Sequence, residues 1–175
     1  MSAGESRLPA SWSRGQELKP ANFIRLSQLR KLRGCEQVAA ICYRIRSGAI
    51  EFLLVQTDGG RWIFPKGSAE PGLSNAQAAA LEAFEEAGVH GRIEEAPFAR
   101  YIRLKSGSPP IEVTTNAYLC TVSRLDPPQE SYRKPTWFTP EKAKRRLKEA
   151  RPADFGSDLC RIIDTAVTRI RQSHR

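Results

Sequence analysis

The sequence predicts an α/β fold, a mixed-sheet α/β/α sandwich, in one chain of 175 residues. Two observations predict it. Apolar, β-rich runs bounded by turn residues recur at residues 37–46, 50–56 and 111–122. Helical patterns lie between and after them, at 75–87 and in the last forty or so residues. The length suits one domain with a real core.

The first strands are expected to form a hairpin. Residues 37–46 are rich in β formers, Ser47-Gly48 is a turn pair, and residues 50–56 return. A short apolar strand follows at 61–64. Proline and glycine then break the chain twice within residues 65–72, so a long glycine-bearing loop is predicted before the next element.

The first helix has clear start and stop signals. Ser74 followed by Gln77 is a capping box, which predicts that the helix begins just after Ser74. An alanine-rich helix is expected over Asn75–Ala87, because its small side chains let it lie close against another element. Gly88 ends it in the usual C-terminal position, and Val89 restarts an extended chain.

Strands and then helices are predicted for the second half of the chain. We expect a long strand over 91–104, interrupted near Pro97, a loop at 106–110, a strand at 111–122 and a short one at 136–138.

Two helices should close the chain. Thr139 with Pro140 predicts the start of a helix that runs to about Glu149. Ser157 is expected to cap the last helix, whose apolar residues recur at helical spacing from Leu159 to Ile170.

Three glutamates carry the strongest chemical signal. Glu82, Glu85 and Glu86 stand at relative spacing 0, +3 and +4, which places three carboxylates on one helix face. Like charges this close repel, so one interpretation is a divalent cation with oxygen ligands, Mg²⁺ or Mn²⁺, among them. A solvated acidic face is the alternative interpretation.

The surrounding segment resembles the signature of the Nudix hydrolase family. That signature is a glycine, five residues, a glutamate, seven residues, and then Arg-Glu-apolar-x-Glu-Glu-x-Gly-apolar. The chain departs from it at two positions, with Leu73 in place of the first glutamate and Leu81 in place of the arginine. The matching residues are Gly67, Glu82, Ala83, Glu85, Glu86, Gly88 and Val89.

The resemblance extends over about residues 36–148 and is nearest to the branch that hydrolyses diphosphoinositol polyphosphates and diadenosine polyphosphates. It implies that Glu82, Glu85 and Glu86 are catalytic and hold Mg²⁺ (or Mn²⁺), with the Gly67 carbonyl as a further ligand. A glutamate would act as general base, and which one stays open.

The same family pattern suggests which cations bind the phosphates that do not react. Arg103 and Lys105, at the end of a strand, are weaker candidates. The main candidates for substrate binding are Lys66, Arg44, Arg133 and Lys134.

The net charge of +9 is concentrated in two places. Residues 1–34 are interpreted as a basic, partly irregular N-terminal arm with a short helix or strand suggested at 23–32, and residues 35–175 as a Nudix domain with a C-terminal helix. A second basic run lies at 142–151. Such charge favours a polyphosphorylated small-molecule substrate or RNA.

Composition also excludes several classes of protein. No apolar run is long enough for a membrane span and no secretory signal core is present, so we expect no membrane partner. Four cysteines without a C-x-x-C pair favour a reduced, cytoplasmic setting. No aromatic platform accompanies the basic residues, which argues against sequence-specific nucleic-acid binding. A homodimer stays open.

The predicted function is Mg²⁺-dependent hydrolysis of a phosphoanhydride bond. The substrate would be a nucleoside diphosphate derivative, a dinucleoside polyphosphate or an inositol pyrophosphate. Leu73 and Leu81 motivate an alternative, a catalytically weak Nudix module that binds a phosphorylated ligand or partner for regulation. RNA 5′-end processing is a third possibility.

Overall fold

The structure is a computed structural model, and it describes residues 36–174. The predicted basic arm at 1–34, with the helix or strand suggested at 23–32, lies outside the described residues. Within them no helix is both long and apolar enough to cross a bilayer.

Strands and helices follow the predicted order closely. The helices are α1 (Asn75–Ala87), α2 (Pro140–Lys148) and α3 (Ala153–Ser173), and a 3₁₀ turn occupies Ser131–Arg133. The strands are β1 (Glu36–Arg46), β2 (Ala49–Gln56), β3 (Trp62–Ile63), β4 (Lys66–Ser68), β5 (Val89–Ile93), β6 (Ala99–Lys105), β7 (Ile111–Leu125) and β8 (Thr136–Phe138).

The sheet is mixed, as predicted. β1 lies at its centre, antiparallel to β2 and parallel to β7, within the order β3-β2-β1-β7-β5. β4 pairs with the start of β1, β8 pairs with β2, and β6 pairs with β7. The hairpin prediction is confirmed, and Ser47 and Gly48 both take positive φ at its turn.

Helices cover both faces of the sheet. Alternate residues of β1 point to opposite sides, so Ile41 packs in one buried cluster and Cys42 in the other. The first cluster includes the apolar faces of α2 and α3, and the second includes the alanines of α1. The α/β/α sandwich is therefore confirmed.

The interruption expected near Pro97 in the strand over 91–104 is confirmed, because residues 94–98 leave the sheet between β5 and β6. Two other predicted details were wrong. The loop expected over 65–72 contains β4, whose pairing with β1 is distant in sequence.

The second correction concerns the last helix, which begins at Ala153 and not after Ser157. The Ser157 hydroxyl donates instead to the Ala153 carbonyl, at 2.8 Å, inside the helix. The earlier start follows from the proline before it and from Asp154, whose carboxylate accepts a hydrogen bond from the Phe155 amide in the first turn.

Candidate active site

Helix α1 places the predicted carboxylates, and its ends are fixed by the predicted signals. The Ser74 hydroxyl accepts from the Gln77 amide at 3.2 Å, and the Gln77 side chain accepts from the Ser74 amide at 2.9 Å. Gly88 ends the helix with φ 66°. An added Cβ there would also overlap the Asp126 backbone, so this position requires glycine.

Glu86 is the most buried of the three carboxylates, with 3% of its surface exposed. Its Oε2 accepts from the Lys66 amide at 3.0 Å, and its Oε1 lies 2.5 Å from a guanidinium nitrogen of Arg133. Burial raises the pKa of Glu86 to about 7, although the Lys66 amide and Arg133 both oppose that shift. A further positive charge at this carboxylate would therefore be strongly favoured.

Glu82 lies directly over Gly67. A Cβ added at Gly67 would overlap the Glu82 carboxylate, so only glycine lets the side chain reach the β4 backbone. Burial raises the pKa of Glu82, and the neighbouring Glu85 raises it further. The signature glycine thus has a steric reason at this site.

The predicted donors have the chemistry that suits a hard divalent cation. The three carboxylates and the Gly67 carbonyl would all offer oxygen atoms, which Mg²⁺ and Mn²⁺ prefer as ligands. Burial raises the pKa of two of these carboxylates, Glu82 and Glu86. Among residues 36–174 no three acidic, histidine or cysteine side chains converge closely enough to enclose an ion, and Arg133 neutralises Glu86 instead.

Glu130 is a further acidic residue of the site, and the sequence analysis missed it. Its Oε2 accepts from Arg133 Nε at 2.5 Å and from the Tyr132 hydroxyl at 2.6 Å. The Tyr132 hydrogen bond, together with Arg133, lowers the pKa of Glu130. Glu130 has no regular sequence spacing from the glutamates of α1, because tertiary folding alone brings it to the site.

A cavity of about 590 Å³ is lined in part by Lys66 of β4, whose amide contacts Glu86, but not by the three glutamates themselves. We call it the basic cleft. β6 contributes two of its cations, because residues 101, 103 and 105 alternate onto the same face. Its five cationic lining residues are Arg61, Lys66, Arg103, Lys105 and Arg151.

Lys66 connects the cleft to the carboxylates. Its amide donates to Glu86, while its side chain lines the cleft and donates to Gln37 Oε1 at 3.2 Å. Burial lowers the pKa of Lys66 to about 8, and Arg103 lowers it further, whereas Glu86 opposes the shift. Lys66 was predicted inside a loop, whereas the structure places it at the start of β4.

Arg151 and Arg61 also line the cleft, and sequence reasoning missed them as binding candidates. Arg151 is fixed by backbone carbonyls, at 2.5 Å from Trp62 O and 2.8 Å from Leu147 O. Arg151 lies in the second basic run of the sequence, and only that run could have indicated it as a binding candidate.

Three of the four predicted substrate-binding residues do not line the cleft. Arg133 contacts Glu86 and Glu130 instead, and the other two lie away from both regions. Arg44 pairs with Glu51 at 2.6 Å and stacks over Trp137 at 4.2 Å, and it is not among the residues that line the cleft. Lys134 is exposed after the 3₁₀ turn, with φ 47°, and does not line the cleft either. Their roles in binding stay predictions.

The family profile for the NUDIX domain matches residues 36–159. The chain belongs to the Nudix family. It is accordingly a pyrophosphohydrolase, as the signature predicted. Its two departures from that signature are on the surface, since Leu73 is 40% exposed and Leu81 is 36% exposed.

Solved Nudix structures share the fold. An Ap4A hydrolase from C. elegans, in a binary complex, is 22% identical, with a TM-score of 0.54 over 74% of this chain and 98% of that one. A NUDIX hydrolase from Nitrosomonas europaea is 21% identical, with a TM-score of 0.55 over 71% and 84%.

A third similar structure was solved with a ligand. The NUDIX domain of Shewanella oneidensis NrtR, complexed with ADP ribose, is 19% identical, with a TM-score of 0.58 over 77% of this chain and 87% of that one. At these identities the likenesses to solved Nudix structures establish the fold alone.

Proposed function

We propose that this Nudix enzyme hydrolyses a phosphoanhydride bond in a polyphosphorylated small molecule and depends on Mg²⁺ or Mn²⁺. One observation carries the proposal. Neighbouring residues of β4 serve two regions, since Gly67 lies under the Glu82 carboxylate and the Lys66 side chain lines the basic cleft. A substrate whose phosphates fill the cleft would therefore present an anhydride bond beside the carboxylates.

The acidic side would hold the cation. Glu82, Glu85, Glu86 and the Gly67 carbonyl are its proposed ligands. A bound divalent ion would neutralise phosphate charge and lower the pKa of a coordinated water. One of the glutamates would accept the proton of the attacking water.

The basic cleft would hold the phosphates that do not react. Five cations face two acids there, Asp154 and Asp158, so the cleft carries a surplus of positive charge. Arginine forks and lysine ammonium groups bind phosphate oxygens by charge-assisted hydrogen bonds. This balance favours the most highly charged of the expected substrates, a dinucleoside polyphosphate or an inositol pyrophosphate, over a nucleoside diphosphate derivative with one neutral end.

A regulatory ligand-binding module is the second candidate. The NrtR domain with ADP ribose is a Nudix fold in a protein crystallised with DNA as well, at 18% identity to this chain and a TM-score of 0.56. The departures at Leu73 and Leu81 favour the same interpretation for this chain. The ordered, buried environment of Glu86 favours the enzyme.

A substrate panel tests the proposal. Purified protein with Mg²⁺ would be incubated with diadenosine polyphosphates, ADP-ribose, nucleoside triphosphates and an inositol pyrophosphate, and phosphate products would be counted. We expect turnover that EDTA abolishes and that is fastest on the substrates with most phosphates. Ligand binding without any turnover would support the regulatory module instead.

A further inference from the structure

Arg133 reaches the carboxylates from outside the signature helix. It ends the 3₁₀ turn Ser131–Arg133, yet its guanidinium bridges two acidic side chains. One nitrogen lies 2.5 Å from Glu86 Oε1, and Nε donates to Glu130 Oε2 at 2.5 Å. The planar fork of an arginine is suited to fixing carboxylates in this manner.

The bridge is held in place by its surroundings. The backbone amides of Gln129 and Glu130 donate to the Glu85 carbonyl at 3.0 and 3.3 Å, which ties this segment to the last turn of α1. The Tyr132 hydroxyl holds Glu130, as described above, and the Tyr132 ring lies 5.0 Å from the Arg133 guanidinium. Only 15% of the Arg133 side chain is exposed.

Helix α1 supplies no cation of its own to these carboxylates. Its sequence, NAQAAALEAFEEA, contains no lysine or arginine, and Leu81 is on the surface. The buried Glu86 therefore has Arg133 as its ion-pair partner and the Lys66 amide as its second contact. An unpaired buried carboxylate would be free to protonate or to rotate.

We propose that Arg133 is a positioning residue, which orients the Glu86 carboxylate for the cation and acts on the reaction through Glu86 without contacting the substrate. The inference rests on the proposed metal-binding role of Glu86. It differs from the substrate-binding role that the family pattern suggests for Arg133, and the two roles have different consequences.

Charge and orientation predict opposite effects on metal affinity. If Arg133 were only a counter-charge, its removal would tighten binding of a divalent cation, because a nearby positive charge would be gone. If it orients Glu86, its removal weakens binding in spite of that gain. Lysine at this position separates the two effects, since it keeps the charge and loses the fork.

The experiment measures Mn²⁺ affinity by electron paramagnetic resonance of the free ion, in the wild type, Arg133→Lys and Arg133→Gln. We expect both variants to bind Mn²⁺ about 10-fold more weakly, the size typical of residues that orient metal ligands. In turnover, kcat should fall by a similar factor while KM for the polyphosphorylated substrate changes less than about 2-fold, since the lost interaction does not involve the substrate.

Two results would overturn the inference. Tighter Mn²⁺ binding by Arg133→Gln, with Arg133→Lys like the wild type, would make the residue a counter-charge alone. A raised KM with unchanged kcat and unchanged Mn²⁺ affinity would make it a substrate contact. A wild-type protein that binds no Mn²⁺ and turns over no substrate would instead refute the proposed function.

A milder variant keeps the inference testable if both Arg133 variants fail to fold. Tyr132→Phe removes one hydrogen bond from Glu130 and changes no formal charge at neutral pH. Should both Arg133 variants unfold in a thermal melt, a fall of about 2- to 3-fold in the Mn²⁺ affinity of Tyr132→Phe would support the inference, because one hydrogen bond from a neutral donor is worth about 2- to 10-fold in an equilibrium constant. An unchanged affinity would overturn it.

Discussion

The acidic face of α1 and the basic cleft are adjacent, but the chain builds them in different ways. The acidic face comes from three residues within five consecutive positions of one helix, Glu82 to Glu86. The cleft takes its cations from the turn before β3, from β4, from β6 and from the segment between α2 and α3. Local spacing specifies the first region, whereas only tertiary packing specifies the second.

The acidic face should be the more sensitive region. We expect Glu86→Gln, which keeps the shape and removes the charge, to lower kcat more than about 100-fold, since a ligand should matter at least as much as the groups that orient it. Thermal unfolding would show whether the fold is retained. Glu95→Gln, at an exposed residue between β5 and β6, is the matched control and should leave kcat unchanged. Similar losses in both variants would refute the assignment.

The second largest effect is expected at Gly67, where β4 meets the acidic face. Gly67→Ala introduces a Cβ that overlaps the Glu82 carboxylate and should displace it, with a loss in kcat of about 10- to 100-fold. Gly59→Ala is its control, because a Cβ there meets only Thr57 Oγ1, at 3.9 Å. Steady-state kinetics on both variants would check this. A Gly67→Ala enzyme with normal kcat would mean that Glu82 has no required position.

The cleft should affect KM more than kcat. Arg103→Gln removes one phosphate-binding cation, and we expect KM for the polyphosphorylated substrate to rise about 10-fold, the equivalent of one charge-assisted hydrogen bond. Arg100→Gln, on the same strand but exposed and outside the cleft, should leave KM unchanged. Equal rises in KM for the two variants would mean that the cleft attracts phosphates only through its overall charge.

The smallest effect is expected at Arg44. The family pattern predicts substrate binding for it, but its guanidinium is engaged by Glu51 and Trp137. Arg44→Met should change KM less than about 2-fold and lower the free energy of unfolding by about 1 kcal/mol, through the lost ion pair and cation–π contact. Urea denaturation and kinetics would measure both. A 10-fold rise in KM would restore the prediction made from the family pattern.

Local signals made much of the acidic side predictable. The capping box at Ser74, the helix end at Gly88 and the spacing of the glutamates all lie within a few residues of what they determine, and the structure confirms the bounds of α1. The signature also indicated Gly67, for which the structure adds the steric reason.

The rest depended on contacts between distant residues. β4 was not predicted because its partner is the start of β1, and Glu130 was missed because it reaches the site through the docking of the 3₁₀ turn onto α1. Arg61 and Arg151 are separated by much of the chain and share the cleft only after β3 and the α2–α3 connection pack together.

Three-residue β4 has a consequence for how the chain can vary in length. Its pleat sends Lys66 and Gly67 to opposite sides, so an insertion or deletion of one residue just ahead of them would turn a bulky cation toward the helix and leave the phosphate side without one. Homologous enzymes should accordingly keep an invariant residue count from Pro65 to Gly67.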